Sequence, residues 1–254
     1  MSSETNIGVT PGWPPAPKNW QLAENEVHVW AVSLDQTPAQ VSGLAAPLSP
    51  DEQTRAGRFH FERDRNRFVV GRGTLRLLLG QYLHLPPGEI KFEYTARGKP
   101  LLSRANGSDT LHFNLAHSGA LALLAVTRVA EVGVDIEQIR PLRDADGIAK
   151  RFFSSWESGV LRALAPLEMQ NAFYNLWTRK EAWLKATGEG IGESLNQVEV
   201  SCLPQEPCRF MRLFGDSFAA SQWRLLHLTP ADGYVGALAM RDSDAEVKCW
   251  RLNC

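Results

Sequence analysis

Two short stretches constrain this chain more than any others, and they make sense only together. In Gly133-Val134-Asp135-Ile136-Glu137, the residues Val132, Val134 and Ile136 alternate with Gly133, Asp135 and Glu137. That alternation predicts a strand with both carboxylates on one face, roughly 6–7 Å apart along it. The second stretch, Trp177-Thr178-Arg179-Lys180-Glu181-Ala182-Trp183-Leu184-Lys185, reads as helix. Glu181 and Lys185 then sit one turn apart and project the same way. If the helix crosses the strand, three carboxylates meet one ammonium. Each piece alone has a bland reading, a solvated strand face or a surface ion pair. Both, however, lie in strongly apolar surroundings, where idle charge is costly. Three hard oxygen donors without His or Cys describe a Mg²⁺ site, with Mn²⁺ as the alternative, that also takes phosphate oxygens. Such a site suits phosphoryl-type transfer.

Composition excludes several classes. The 254 residues carry a net charge of −1, so the whole chain is not a polyanion binder and any anion site must be local. Cys202, Cys208, Cys249 and Cys254 lack zinc-ligand spacing and read as reduced thiols of a cytoplasmic protein. No apolar run approaches a membrane span and the N-terminus has no signal-peptide pattern, so no membrane association is expected.

Residues 1–22 are Pro-rich and read as an extended N-terminal arm. A strand is expected at 26–34, then a loop to about Leu48. Ser49-Pro50-Asp51-Glu52 is a capping-box helix start. A long helix should cover 63–83, with strands near 90–94, 110–115, 119–127 and 131–137. Ser154-Ser155-Trp156-Glu157 caps another helix, which Pro166 breaks; the Trp177 helix should run over 168–187 until Gly188-Glu189-Gly190 stops it. Strands follow near 196–202, 208–214, 222–228, 234–241 and 246–251. The order of elements repeats, which predicts an α/β (α+β) protein of two similar lobes, 23–130 and 131–254, with the active site in the cleft between them.

Arg55, Arg58, Arg63, Arg65, Arg67, Arg72 and Arg76 crowd one stretch against Glu62 and Asp64 alone. They read as a solvated basic face or as a local anion cradle, since the planar guanidinium bonds two phosphate oxygens at once. Nucleic acid is disfavoured by the neutral total and by the lack of an interleaved aromatic platform. His117-Ser118-Gly119 reads as a tight turn or as a phosphate contact through the ring, the hydroxyl and backbone N–H groups.

At four blocks in order, the sequence resembles the Sfp-type 4′-phosphopantetheinyl transferases, in their W/KEA-like branch. The blocks are Arg97-Gly98-Lys99-Pro100, Asn114-Leu115-Ala116-His117-Ser118-Gly119, Gly133-Val134-Asp135-Ile136-Glu137, and Trp177-x-x-Lys180-Glu181-Ala182-x-x-Lys185. The resemblance spans roughly residues 47–240. It implies a monomer whose two lobes are related by a pseudo-twofold axis, with coenzyme A as co-substrate and Mg²⁺. It also implies transfer of the phosphopantetheine arm to a serine of an apo carrier protein of acyl, polyketide or peptidyl type (holo-acyl-carrier-protein synthase activity), releasing adenosine 3′,5′-bisphosphate. By this match Asp135, Glu137 and Glu181 are metal ligands, His117 meets a coenzyme A phosphate, and Lys185 the pyrophosphate; Ser118, from the turn reading, is a further cofactor-binding candidate. Arg55, Arg67 and Lys99 serve the nucleotide end. Glu52 departs from the pattern, standing where several relatives have a basic residue. Glu181, directly or through a water, and Lys185 are the expected catalytic pair. A Mg²⁺-dependent coenzyme A or nucleotide pyrophosphatase and a non-catalytic binding module are the alternatives.

Overall fold

The computed structural model describes residues 12–107, 111–142, 144–189, 195–203, 205–241 and 244–252. The chain divides into two compact units. One takes Pro14–Val129 with Glu246–Cys254; the other is built on Ala130–Ala245.

In the first unit, β1 (Glu26–Ser33) leads into α1 (Pro38–Ala45), α2 (Pro50–Ala56) and α3 (Glu62–Leu83). A small hairpin, β2 (Phe92–Tyr94) with β3 (Pro100–Leu102), precedes β4 (His112–Ser118) and β5 (Leu121–Thr127). The second unit repeats that order. Strand β6 (Val132–Gln138) is followed by α4 (Ala145–Phe152), α5 (Ser155–Ala163) and α6 (Pro166–Thr187). The hairpin β7 (Val198–Val200) and β8 (Phe210–Leu213) comes next, then α7 (Ser217–Ser221), β9 (Trp223–Leu228) and β10 (Tyr234–Arg241). In both units the first strand pairs with the last of its set and that strand with the one before it: β1-β5-β4 and β6-β10-β9, all antiparallel.

The final strand, β11 (Glu246–Leu252), departs from the expected boundary. It pairs in parallel with β1, so it belongs to the first unit and not to the lobe that precedes it in sequence. Pairing of this kind is set by an available strand edge, which local sequence does not announce. The expected arm likewise docks in part: Pro15 bridges to Arg251, and the Trp20 ring lies 4.9 Å from Trp30 and 4.7 Å from Tyr82. Residues 1–11 of that arm lie outside the described residues.

One helix expectation is corrected and one helix start moves. The stretch before Leu48 is not all loop, because Thr37 and Gln40 form a capping box at the start of α1. Helix α5 (Ser155–Ala163) ends ahead of Pro166 as expected, and Pro166 itself opens α6, two residues earlier than expected; at the first helical position its missing N–H is no loss. Helix α6 ends at Gly188 with φ 75°, while Gly190 is outside the described residues. The turn after β4 is Gly119-Ala120, and His117 and Ser118 are the last two residues of the strand.

Each unit has its own core. In the first, Trp30 and Val32 of β1 with Leu124 and Val126 of β5 pack on Val70, Leu75, Leu78 and Leu79 of α3. In the second, Ala172, Phe173, Leu176, Ala182 and Ala186 of α6 pack with Ala237 and Ala239 of β10. Removing each Leu or Phe side chain from water contributes about 1.5–3 kcal/mol. Cys202, Cys208 and Cys249 are unbridged, and Cys254 is outside the described residues. Among the described residues no helix is long and apolar enough to cross a membrane.

Candidate active site

Gly133, Asp135 and Glu137 share one face of β6, and that face meets α6. A Cβ on Gly133 would sit 2.0 Å from the Ala182 carbonyl oxygen and 2.3 Å from the Ala186 nitrogen. The cross-strand partners of Gly133 and Asp135 are Ala239 and Ala237, again small. Glycine and alanine on both elements let the helix backbone rest almost on the strand. Two residues along from that contact, Asp135 is brought against the α6 face that carries Lys185.

The Lys185 ammonium lies 2.5 Å from Asp135 Oδ1. The Asp135 side chain is 5% exposed and that of Lys185 30%. Burial pushes the Asp135 carboxyl up to about 7; Lys185 opposes that shift, while the charges of Glu137 and Glu181 add to it. Burial also raises Glu181, against Lys185 and with Glu137. The charges of the three carboxylates therefore act on one another. They do not form a ready-made cage: among the described residues no three Asp, Glu, His or Cys side chains are gathered tightly enough to hold an ion.

Two atoms speak to what this cluster accommodates. Asp135 Oδ2 and Glu181 Oε1 are buried and make no hydrogen bond. An acceptor left so is costly unless something supplies positive charge or a donor. The donors are hard oxygens, so the residues present fit a small divalent cation.

The neighbouring Lys180 of the same motif does something else. Its Nζ is 2.7 Å from Glu157 Oε2, and both side chains are fully buried. Glu157 enters the sequence reading as a helix cap alone; its spacing to a buried Lys on a different helix is a tertiary fact.

The residues expected at the nucleotide end all lie in the first unit. Arg55 and Arg58 are exposed and have no carboxylate partner among the described residues. They line a cavity of about 720 Å³ with Asp51, Thr54 and Phe59. Arg67 instead clasps Asp35, donating from Nε at 2.6 Å and from Nη2 at 2.8 Å. Lys99 is half-buried after the Arg97–Gly98 turn, His117 is exposed, and Ser118 is half-buried at the end of β4. The arginine run thus splits. Arg76 is buried and donates to Glu52 at 2.6 Å, and Arg72 also binds Glu52. Glu52 closes the helix start as well, accepting the Ser49 N–H at 3.0 Å. Its departure from the family pattern is therefore a structural role, a buried carboxylate joining α2 to α3.

The 4′-phosphopantetheinyl transferase superfamily model matches residues 131–239, and the 4′-phosphopantetheinyl transferase N-terminal model matches residues 33–129. The 4′-phosphopantetheinyl transferase HetI of a Nostoc species is 44% identical over 238 residues, covering 94% of this chain and 97% of that protein. The chain belongs to the 4′-phosphopantetheinyl transferases. The human L-aminoadipate-semialdehyde dehydrogenase-phosphopantetheinyl transferase is 29% identical over 231 residues, covering 85% of this chain and 75% of its own. The Bacillus pumilus transferase psf-1 is 39% identical over 158 residues, or 62% of this chain and 65% of that protein. In this phosphopantetheinyl transferase the superfamily match contains Asp135, Glu137, Glu181 and Lys185, and the N-terminal match contains Arg55, Arg67, Lys99, His117 and Ser118.

Proposed function

We propose that this transferase moves the 4′-phosphopantetheine arm of coenzyme A to a serine of an apo carrier protein, of acyl, polyketide or peptidyl type, in a Mg²⁺-dependent reaction that releases adenosine 3′,5′-bisphosphate. The supporting observation is the buried pair of unpartnered carboxylate oxygens, Asp135 Oδ2 and Glu181 Oε1, beside the Lys185 ammonium. Asp135, Glu137 and Glu181 would hold the Mg²⁺, with Mn²⁺ as a substitute; bound there, the ion would supply positive charge to the pyrophosphate of coenzyme A.

The chain's own groups do the rest. Glu181 accepts the proton of the attacking serine, directly or through a water. Lys185 is partly exposed beside Asp135 and places a cation where charge builds on the leaving oxygen. Arg55, Lys99, His117 and Ser118 bind the nucleotide and phosphates of coenzyme A. Arg67 joins them only by leaving Asp35 or by sharing its guanidinium with it. A monomer suffices for this reading, since every proposed residue lies in one chain.

Intact-mass spectrometry of an apo acyl carrier protein, incubated with this protein, coenzyme A and Mg²⁺, tests the proposal. The expected result is a phosphopantetheine-sized gain that EDTA abolishes. Coenzyme A cleaved while the carriers stay unmodified would instead identify a pyrophosphatase. Coenzyme A bound without reaction, on acyl, polyketide and peptidyl carriers alike, would identify a binding module.

A further inference from the structure

Lys180 has three ammonium protons and three acceptors: Glu157 Oε2 at 2.7 Å, the Leu195 carbonyl at 3.0 Å and the Phe152 carbonyl at 3.3 Å. Glu157 is equally committed. Its Oε2 accepts the Ser154 N–H at 2.8 Å and its Oε1 the Val200 N–H at 2.9 Å. One ion pair therefore joins the end of α4, the cap of α5, helix α6, Leu195 and strand β7. Burial works against both charges, raising Glu157 and lowering Lys180. A methionine and a glutamine would fill similar space at lower desolvation cost, and a buried pair is weak evidence of stability for its own sake.

What the pair supplies is direction. Helix α6 meets β6 and β10 through Ala182, Ala186, Gly133, Ala237 and Ala239, where small residues bring the backbones close, while Phe173, Leu176, Trp183 and Leu184 of the same helix fill the surrounding core. Lys180 precedes Glu181 by one residue and Lys185 by five, so any rotation of α6 about its axis carries all three. We propose that the buried Lys180–Glu157 pair is a positioning device for the transfer site, fixing the rotation and register of α6 so that Glu181 Oε1 and Lys185 Nζ are held against Asp135. The proposal rests on the transferase reading given above.

The test uses Lys180→Met, Glu157→Gln and the double variant, each checked for folding by circular dichroism. Turnover is measured with an apo acyl carrier protein, and Mn²⁺ binding is measured alone by electron paramagnetic resonance. Loss of a residue that orients metal ligands should lower kcat and weaken Mn²⁺ binding by roughly ten- to a hundred-fold, with KM for coenzyme A unchanged. The double variant should regain melting temperature over either single variant without regaining kcat, because the unpaired charge is gone but the tether is not restored. Wild-type kcat and Mn²⁺ affinity in Lys180→Met would overturn the proposal. So would recovery of kcat together with melting temperature in the double variant, or failure of both single variants to fold, which would make the pair a folding element. A wild-type protein that binds Mn²⁺ but transfers nothing sinks the functional reading instead, and the Mn²⁺ shift still reads the role of Lys180.

Discussion

Gly133 of β6 and Ala182 of α6 approach so closely that a methyl group on the glycine would stand 2.0 Å from the alanine carbonyl oxygen. Both sides of that contact are backbone, so neither can swing aside. Gly133→Ala should therefore push strand and helix apart, at a cost of about 1–3 kcal/mol in urea unfolding. Turnover should fall further than stability explains, because the same shift separates Asp135 from Lys185. Gly43→Ala is the control: nothing lies within 4 Å of its added Cβ, in an exposed helix position. It should stabilise the protein by about 0.5–1 kcal/mol and leave turnover alone.

Glu181→Gln should trade activity for stability. Burial raises the Glu181 carboxyl, so above its unfolded pKa the ionised side chain weighs against the fold. Removing the charge should add roughly 1 kcal/mol at pH 8, as at other strained functional sites. Metal-dependent transfer should be lost in the same variant. Near-normal turnover would remove Glu181 from the proposed mechanism.

Glu52→Gln should behave in the opposite way. It leaves Arg76, 2% exposed at the side chain, without its carboxylate. Breaking a buried pair from one side costs about 3–5 kcal/mol. Because Glu52 is spent on Arg72, Arg76 and the Ser49 N–H, KM for coenzyme A should not change at temperatures where the variant is folded. Urea unfolding with steady-state kinetics separates the two effects.

His227 gives a pH signature. Burial, with the Arg179 charge, lowers it from 6.5 to about 4, and its Nδ1 has no hydrogen bond. The unfolded chain then binds the proton more readily than the folded one between those values. Stability should fall as pH drops from about 6.5 to about 4, by up to roughly 3 kcal/mol from this group. His227→Gln should flatten that slope, leaving the part contributed by His28, which burial also lowers. An unchanged slope would show that His227 is hydrated in solution.

Most elements were legible because they are written locally. Alternation marked β1 and β6, a capping box with Pro at the first turn marked α2, and a capping box alone marked α5. The same box at Thr37 and Gln40 marks α1 but passes as loop when read beside Pro47. What local pattern could not show was pairing. Nothing in Glu246–Leu252 says that it will run parallel to β1, because its partner's edge is more than two hundred residues away in the chain.

The site divides along the same line. Sequence alone determined that Asp135 and Glu137 share a strand face, that Glu181 and Lys185 share a helix side, and that the acidic side chains there offer hard oxygen donors, since these follow from backbone periods and side-chain identity. Only the tertiary structure decided that Lys185 closes on Asp135, that Arg67, Arg72 and Arg76 are engaged by Asp35 and Glu52, and that Lys180 is buried against Glu157. Charge partners are chosen by distance and desolvation after packing, and neither quantity exists until the chain has folded.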